Sequence, residues 1–160
     1  MEAGSPPRPP RETDLIGLCK ALNERGARYI VVGGMAVIHH GFLRATEDID
    51  LLLERSRDNQ AKVFAALEIL SDKAVREIKE TDLDQYTVVR VADEIVVDLM
   101  LSACGVTYDE AVDQIERQDI EGVTIPFPTL KLLLRMKQTY RDKDVMDREF
   151  LEMKLKEKSA

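Results

Sequence analysis

Apolar residues in this chain recur with two different periods, and the switches between them mark its elements. Thr13 or Asp14 can cap a helix that runs through Leu15, Leu18, Cys19 and Leu22 and stops at Gly26. A β-rich run, residues 28–32, ends at Gly33-Gly34, and a brief helix from Met35 to His40 follows and stops at Gly41. The strand that carries Asp48 and Asp50, in residues 45–53, comes next, before a helix from Asp58 to Leu70 with Val63, Leu67 and Leu70 at helical spacing. Residues 86–91 and 94–101 read as strands joined by a tight turn at Ala92-Asp93, hence as antiparallel neighbours. Thr107 opens an acidic helix to about Gln118, with Asp109, Glu110, Asp113 and Glu116 as its solvated face. Residues 122–125 form a last short strand, and helices from Thr129 to about Tyr140 and from Asp144 to about Lys156 close the chain. This order predicts an α+β fold, a mixed sheet backed by helices.

Alternation also decides where the charges point. In Asp48-Ile49-Asp50-Leu51-Leu52-Leu53 the two aspartates share one strand face, while Ile49, Leu51 and Leu53 turn to the other, into a core. In residues 94–101, Ile95, Val97, Leu99 and Leu101 share a face and Asp98 opposes them. A carboxylate in the middle of an apolar strand costs free energy unless its charge is compensated. Three of them converging on one sheet face call for a cation, and a hard divalent ion such as Mg²⁺ suits oxygen ligands.

Composition narrows the class. The chain has 160 residues, 44% hydrophobic and 33% charged, which fits one soluble domain with a real core. Residues 1–12 hold four of the six prolines and read as an unstructured tail, leaving residues 13–156 as the domain. No apolar run reaches the roughly 20 residues that span a bilayer, and the N-terminus lacks a signal-peptide core, so the expectation is a cytoplasmic protein. Cys19 and Cys104 match no metal spacing and read as reduced thiols. A formal net charge of −7 argues against coating nucleic acid by charge alone, though it leaves room for a local basic groove.

That groove has a candidate location. Lys137 and Arg141 are four apart and share a helix face, Lys143 extends the patch, and Lys131 and Arg135 lie nearby. Asp144 can orient Lys137 or Arg141 by ion pairing; a plain solvated helix face is the competing reading. Gly33-Gly34, where a strand gives way to a helix, lets backbone N–H groups approach a phosphate closely, although a simple turn explains it equally well. His39 and His40 stand about 100° apart around a helix and are poorly placed to ligate one ion together. Met35, Met100, Met136 and Met146 read as packing residues.

Taken together, the glycine pair, Asp48-Ile49-Asp50 and the distant Asp98 resemble the nucleotidyltransferase superfamily that shares the DNA polymerase β palm. The stretch YIVVGGMAVIHHGFLRATEDIDLLL, residues 29–53, is similar to that family's signature, and Met136-Lys137, Arg141 and Lys143-Asp144, with Asp147 beyond, resemble its C-terminal segment. The nearest likeness is to small prokaryotic members, including the AbiEii-type toxin proteins. The resemblance covers roughly residues 28–150. One departure stands out: many members carry Gly-Ser where this chain has Gly33-Gly34, which removes a hydroxyl contact to phosphate worth about 1 kcal/mol.

The resemblance implies Mg²⁺-dependent transfer of a nucleoside monophosphate from an NTP to a hydroxyl acceptor on RNA, protein or a small molecule. Two ions about 3.5–4 Å apart, with Mn²⁺ able to replace Mg²⁺, would be held by Asp48, Asp50 and Asp98. Asp98 would also help deprotonate the attacking hydroxyl. Gly33, Gly34, Lys137, Arg141 and Lys143 would hold the nucleotide, and Arg44 and Thr46 would contact its phosphate or sugar. A chain of this length favours a partner subunit over a dedicated acceptor domain. The alternative from another class is an inactive protein of the same fold that binds a nucleotide or a partner protein without turnover. A metal-dependent phosphohydrolase is more distant, since histidine-rich ligand clusters are missing.

Overall fold

The computed structural model describes residues 6–139 and 141–159. Strands β1 (Tyr29–Val32), β2 (Asp48–Leu53), β3 (Val89–Ala92) and β4 (Val96–Met100) form a mixed sheet in the order β1-β2-β4-β3. β2 and β4 run parallel, and the outer pairs are antiparallel. Two small hairpins stand apart, β5 (Ser102–Ala103) with β6 (Val106–Thr107) and β7 (Ile115–Ile120) with β8 (Val123–Pro128). The helices are α1 (Glu12–Glu24), α2 (Gly33–His39), α3 (Arg57–Leu67), α4 (Asp82–Gln85), α5 (Tyr108–Ala111), α6 (Leu130–Arg135) and α7 (Asp142–Ser159). The architecture is thus α+β. No helix among the described residues is long and apolar enough to cross a membrane.

Local chemistry starts and stops these elements. The Asp14 carboxylate accepts the Arg11 N–H at 2.7 Å and so caps α1 from within its first turn. Ser56 caps α3 by accepting the Asn59 N–H. Of the tail expected at residues 1–12, the first five residues lie outside the described ones. Residues 8–11 are tied down, because the Arg8 guanidinium donates to Asp14 at 2.7 and 2.8 Å and its backbone N–H donates to the Glu94 carbonyl.

The sheet is packed on both faces, which strand alternation alone does not reveal. Val31, Ile49, Leu51, Leu53, Val97 and Leu99 join the main core with Leu18, Leu22, Val63 and Leu67 from α1 and α3. The opposite face carries Ile30, Val32, Leu52 and Met100 in a second, smaller core against Leu132 and Met136. Asp48, Asp50 and Asp98 belong to this second face, in the amino-terminal half of β2 and at the middle of β4. One sheet surface therefore changes from apolar to acidic within two residues of each strand.

Three expectations need correction. The helix expected from Thr129 to about Tyr140 ends as α6 at Arg135, and α7 begins at Asp142, so Lys137 and Arg141 share no helix face. The acidic helix from Thr107 to about Gln118 is a single turn: Thr107 does cap α5, but the helix ends at Ala111, a 3₁₀ turn follows, and Ile115–Ile120 pair as β7 with β8. Glu121 and Gly122 both adopt positive φ (51° and 82°), the geometry of a two-residue type I′ hairpin turn, and the paired backbone outweighs the helix preference of Glu116, Arg117 and Gln118. Between β3 and β4 the turn is longer than Ala92-Asp93. Asp93 is buried, its carboxylate accepting the backbone N–H groups of Asp72, Ala74 and Glu94 at 2.7–2.8 Å, and Ile95 is buried with it. The register becomes Val91↔Val97 and Arg90↔Asp98.

Candidate active site

Register brings the acidic side chains together. Asp50 on β2 lies directly beside Asp98 on β4, and Asp48 sits one same-face position earlier on β2. Asp48, Asp50 and Asp98 each present a carboxylate oxygen within 4.8 Å of the others. Asp98 is buried, and Asp48 and Asp50 are partly so. They line a cleft of about 390 Å³ together with Gly33, Gly34, Lys137, Arg141 and Lys143. The group consists of hard oxygen donors without thiol or imidazole, a set that could hold a divalent cation of the Mg²⁺ or Mn²⁺ type.

Electrostatics agree with that donor set. Burial, reinforced by Asp48 and Asp98 and opposed by Lys137 and Lys143, pushes the Asp50 carboxyl up to about 7. Asp48 is raised too, first by burial and then by Asp98. Two carboxylates that resist ionisation side by side mark a site short of positive charge.

Arg90, a residue the sequence reading placed only within a strand, supplies part of that charge. Its Nε and one Nη donate to the two oxygens of Asp98, each at 2.9 Å, and the same Nη reaches Asp48 at 3.4 Å. Hydrogen bonding to Asp98 and its charge hold the guanidinium pKa above its ordinary value. A three-residue turn at Asp93-Glu94-Ile95 is the signal that finds Arg90, because that turn alone sets it opposite Asp98.

Gly33 has φ +67°, and a Cβ there would lie 1.9 Å from an Asp50 oxygen. A Cβ on Gly34 would lie 2.5 Å from Thr46 Oγ1 and 3.1 Å from an Arg44 nitrogen. The departure from Gly-Ser is thereby explained: Thr46 fills the space a serine side chain would need.

The basic residues divide into two groups. Lys137 is buried, with Nζ 3.2 Å from both Asp144 and Asp147, two buried carboxylates on α7. Arg141 donates to Asp144 at 2.6 Å, and Arg44 makes two 2.9 Å bonds to Asp147. Burial works against the Asp144 carboxylate, yet Arg141, Thr139 and Lys137 hold it down at about 2. Lys143 is exposed on the cleft wall and makes no ion pair among the described residues. Arg44 and Thr46 are not brought to the acidic cleft. They line a separate cavity of about 550 Å³ beside Leu15, Met35 and Phe127, and Thr46 donates to the Asp48 carbonyl. Lys131 and Arg135 also lie outside the acidic cleft's lining, and Arg135 faces Glu110.

His39 and His40 come closer than helix geometry alone suggests, with ring centroids 4.9 Å apart and both Nε2 atoms near a Glu116 oxygen, at 3.1 and 3.6 Å. His39 stacks on Phe127, and His40 donates to the Pro128 carbonyl at 2.8 Å.

Residues 11–157 match a family described as nucleotidyl transferase of unknown function (DUF2204). The chain belongs to this family. The match spans both strands that carry the acidic triad, the glycine turn and α7. As a nucleotidyl transferase family member it takes a nucleotide as its implied substrate, and no curated protein matches the chain.

Proposed function

We propose that this protein is a metal-dependent nucleotidyltransferase built on a polymerase β palm-like fold. It would move a nucleoside monophosphate from an NTP to a hydroxyl of RNA, protein or a small molecule. The observation that carries the proposal is the convergence of Asp48, Asp50 and Asp98 within 4.8 Å on a glycine-lined cleft, in a chain of a nucleotidyl transferase family.

Asp48 and Asp50 would hold two Mg²⁺ ions, with Mn²⁺ as a substitute, and Asp98 would share in holding one of them. The bound ions supply Lewis acidity at the reacting phosphate. Asp98 would orient the acceptor hydroxyl and accept its proton. Lys143 and the exposed Arg141 form the cationic wall for the triphosphate, while Lys137 shapes that wall from beneath. Gly33 and Gly34, which line the cleft, would offer backbone N–H groups to a phosphate.

Incubation with α-³²P-labelled NTPs, Mg²⁺ or Mn²⁺, and cell RNA or protein extract tests this reading. Label is expected to pass to an acceptor with the wild type and not with Asp50→Asn; equal labelling by both proteins overturns it. One observation favours a second reading, nucleotide binding without transfer: both Asp98 oxygens are already engaged by Arg90. Calorimetric NTP binding with no labelled product under any metal supports that reading instead.

A further inference from the structure

We infer that Arg90 is an exchangeable counter-cation, which neutralises the acidic triad in the ion-free protein and gives up its carboxylates when divalent ions enter, turning then to the polyphosphate of the NTP. The inference rests on the metal-dependent reading above. Its basis is the place of one guanidinium: Arg90 occupies both oxygens of Asp98 at 2.9 Å and reaches Asp48 at 3.4 Å, taking lone pairs that a cation would need. Lone pairs bonded to a guanidinium are unavailable at the same angle to an ion, so Arg90 and the ions compete for one position.

The surroundings permit the exchange. Arg90 extends from β3, an edge strand of the sheet, and its side chain is 60% exposed, against 8% for Asp98. Its guanidinium borders the cleft, so it can swing into open space without first being drawn out of the core. Lys137 is less free to make the same move, since it is buried with Nζ 3.2 Å from both Asp144 and Asp147. Lys143 and Arg141 line the same cleft as Arg90, so a freed Arg90 would add a third cation around a triphosphate. The competing reading is a fixed strut that braces β3 against β4 in every state.

Mn²⁺ binding without nucleotide separates the two, measured on the full chain by electron paramagnetic resonance. Asp48→Asn is the control, expected to abolish binding at the triad. Arg90→Gln is expected to bind Mn²⁺ at least about tenfold more tightly than wild type, a difference of about 1.4 kcal/mol, and Arg90→Lys to fall between them. At saturating Mn²⁺, a non-hydrolysable NTP analogue is expected to bind Arg90→Gln about tenfold more weakly. Unchanged or weaker Mn²⁺ binding by Arg90→Gln, with Asp48→Asn still abolishing it, overturns the exchange alone. Mn²⁺ binding indifferent to Asp48→Asn overturns the metal reading, and this inference with it. Melting curves in chelator guard against a misfolded variant: Arg90→Gln is expected to melt lower than wild type, with Mn²⁺ closing the gap, and failure of Mn²⁺ to close it counts for the strut.

Discussion

Two acidic groups stand in this fold, and they are managed in opposite ways. Asp144 and Asp147 on α7 are fully buried, yet Lys137, Arg44 and Arg141 surround them with charge-assisted hydrogen bonds, and Asp144 is driven down to about 2. Asp48 and Asp50 are less buried, and their carboxyls are driven up. Burial alone does not separate the two groups, since it disfavours ionisation in both. The difference lies in what the protein places alongside: three cations for a pair of acids in one, a single half-exposed arginine for a trio in the other. The first cluster is complete as it stands, whereas the second has fewer counter-charges in hydrogen-bond reach, which is where the proposed metal ions would act.

If that contrast is right, neutralising each cluster has opposite effects. Asp50→Asn is expected to cut metal-dependent nucleotidyl transfer by at least about a thousandfold, close to 4 kcal/mol of barrier, while its melting temperature in chelator stays level or rises. A fall in melting temperature would place Asp50 among the structural acids. Asp147→Ala does the reverse, leaving Lys137 and Arg44 without their shared partner, and is expected to cost about 3 kcal/mol in urea denaturation.

A backbone test comes next in size. Gly34→Ser is expected to destabilise the protein by about 1–3 kcal/mol through overlap with Thr46, with much of the loss restored in the double variant Gly34→Ser/Thr46→Ala. Additive losses in that double-mutant cycle would remove Thr46 as the reason for the glycine.

Smallest are the pH effects, and their signs differ between the clusters. Asp144 has a lowered folded pKa, so its stabilising contribution is present above its ordinary 3.8 and is lost as pH falls toward about 2. The stability gap between wild type and Asp144→Asn should therefore shrink over that window. Asp50 has a raised folded pKa, so the folded state binds the extra proton between 3.8 and about 7. Its contribution is present at low pH and lost as pH rises through about 7, so in chelator the melting temperature of wild type relative to Asp50→Asn should fall across that range. Parallel curves for the two proteins would deny Asp50 its raised pKa.

Much of this was legible in the chain because strand alternation is a strong local rule. Asp48 and Asp50 had to share a face, and Asp98 had to oppose Val97 and Leu99. What alternation cannot supply is register across a turn. The position of Arg90 depended on Asp93 being buried and bonded to the backbone of Asp72 and Ala74, contacts made with a segment about twenty residues away. The β7 strand was hidden by residues with good helix propensity whose pairing is set by the Glu121-Gly122 turn and by β8. Arg44 and Thr46, close to the acids in sequence, face another cavity because the segment before β2 carries them past α2 rather than into the cleft. Met35, Met100 and Met136 pack as their type suggests, but Met146 is exposed on α7, and the partner of Met100 and Met136 in the second core depends on α6 folding onto the sheet.

Gly33 sets a limit on how this protein can diversify. With the Asp50 carboxylate resting on the hydrogen where other residues carry carbon, turn and acid are inherited as one piece. Any route to a new donor or acceptor specificity then runs through the rim, at Glu47, Thr87, Val88 or Ser102, where side chains border the cleft without touching that contact.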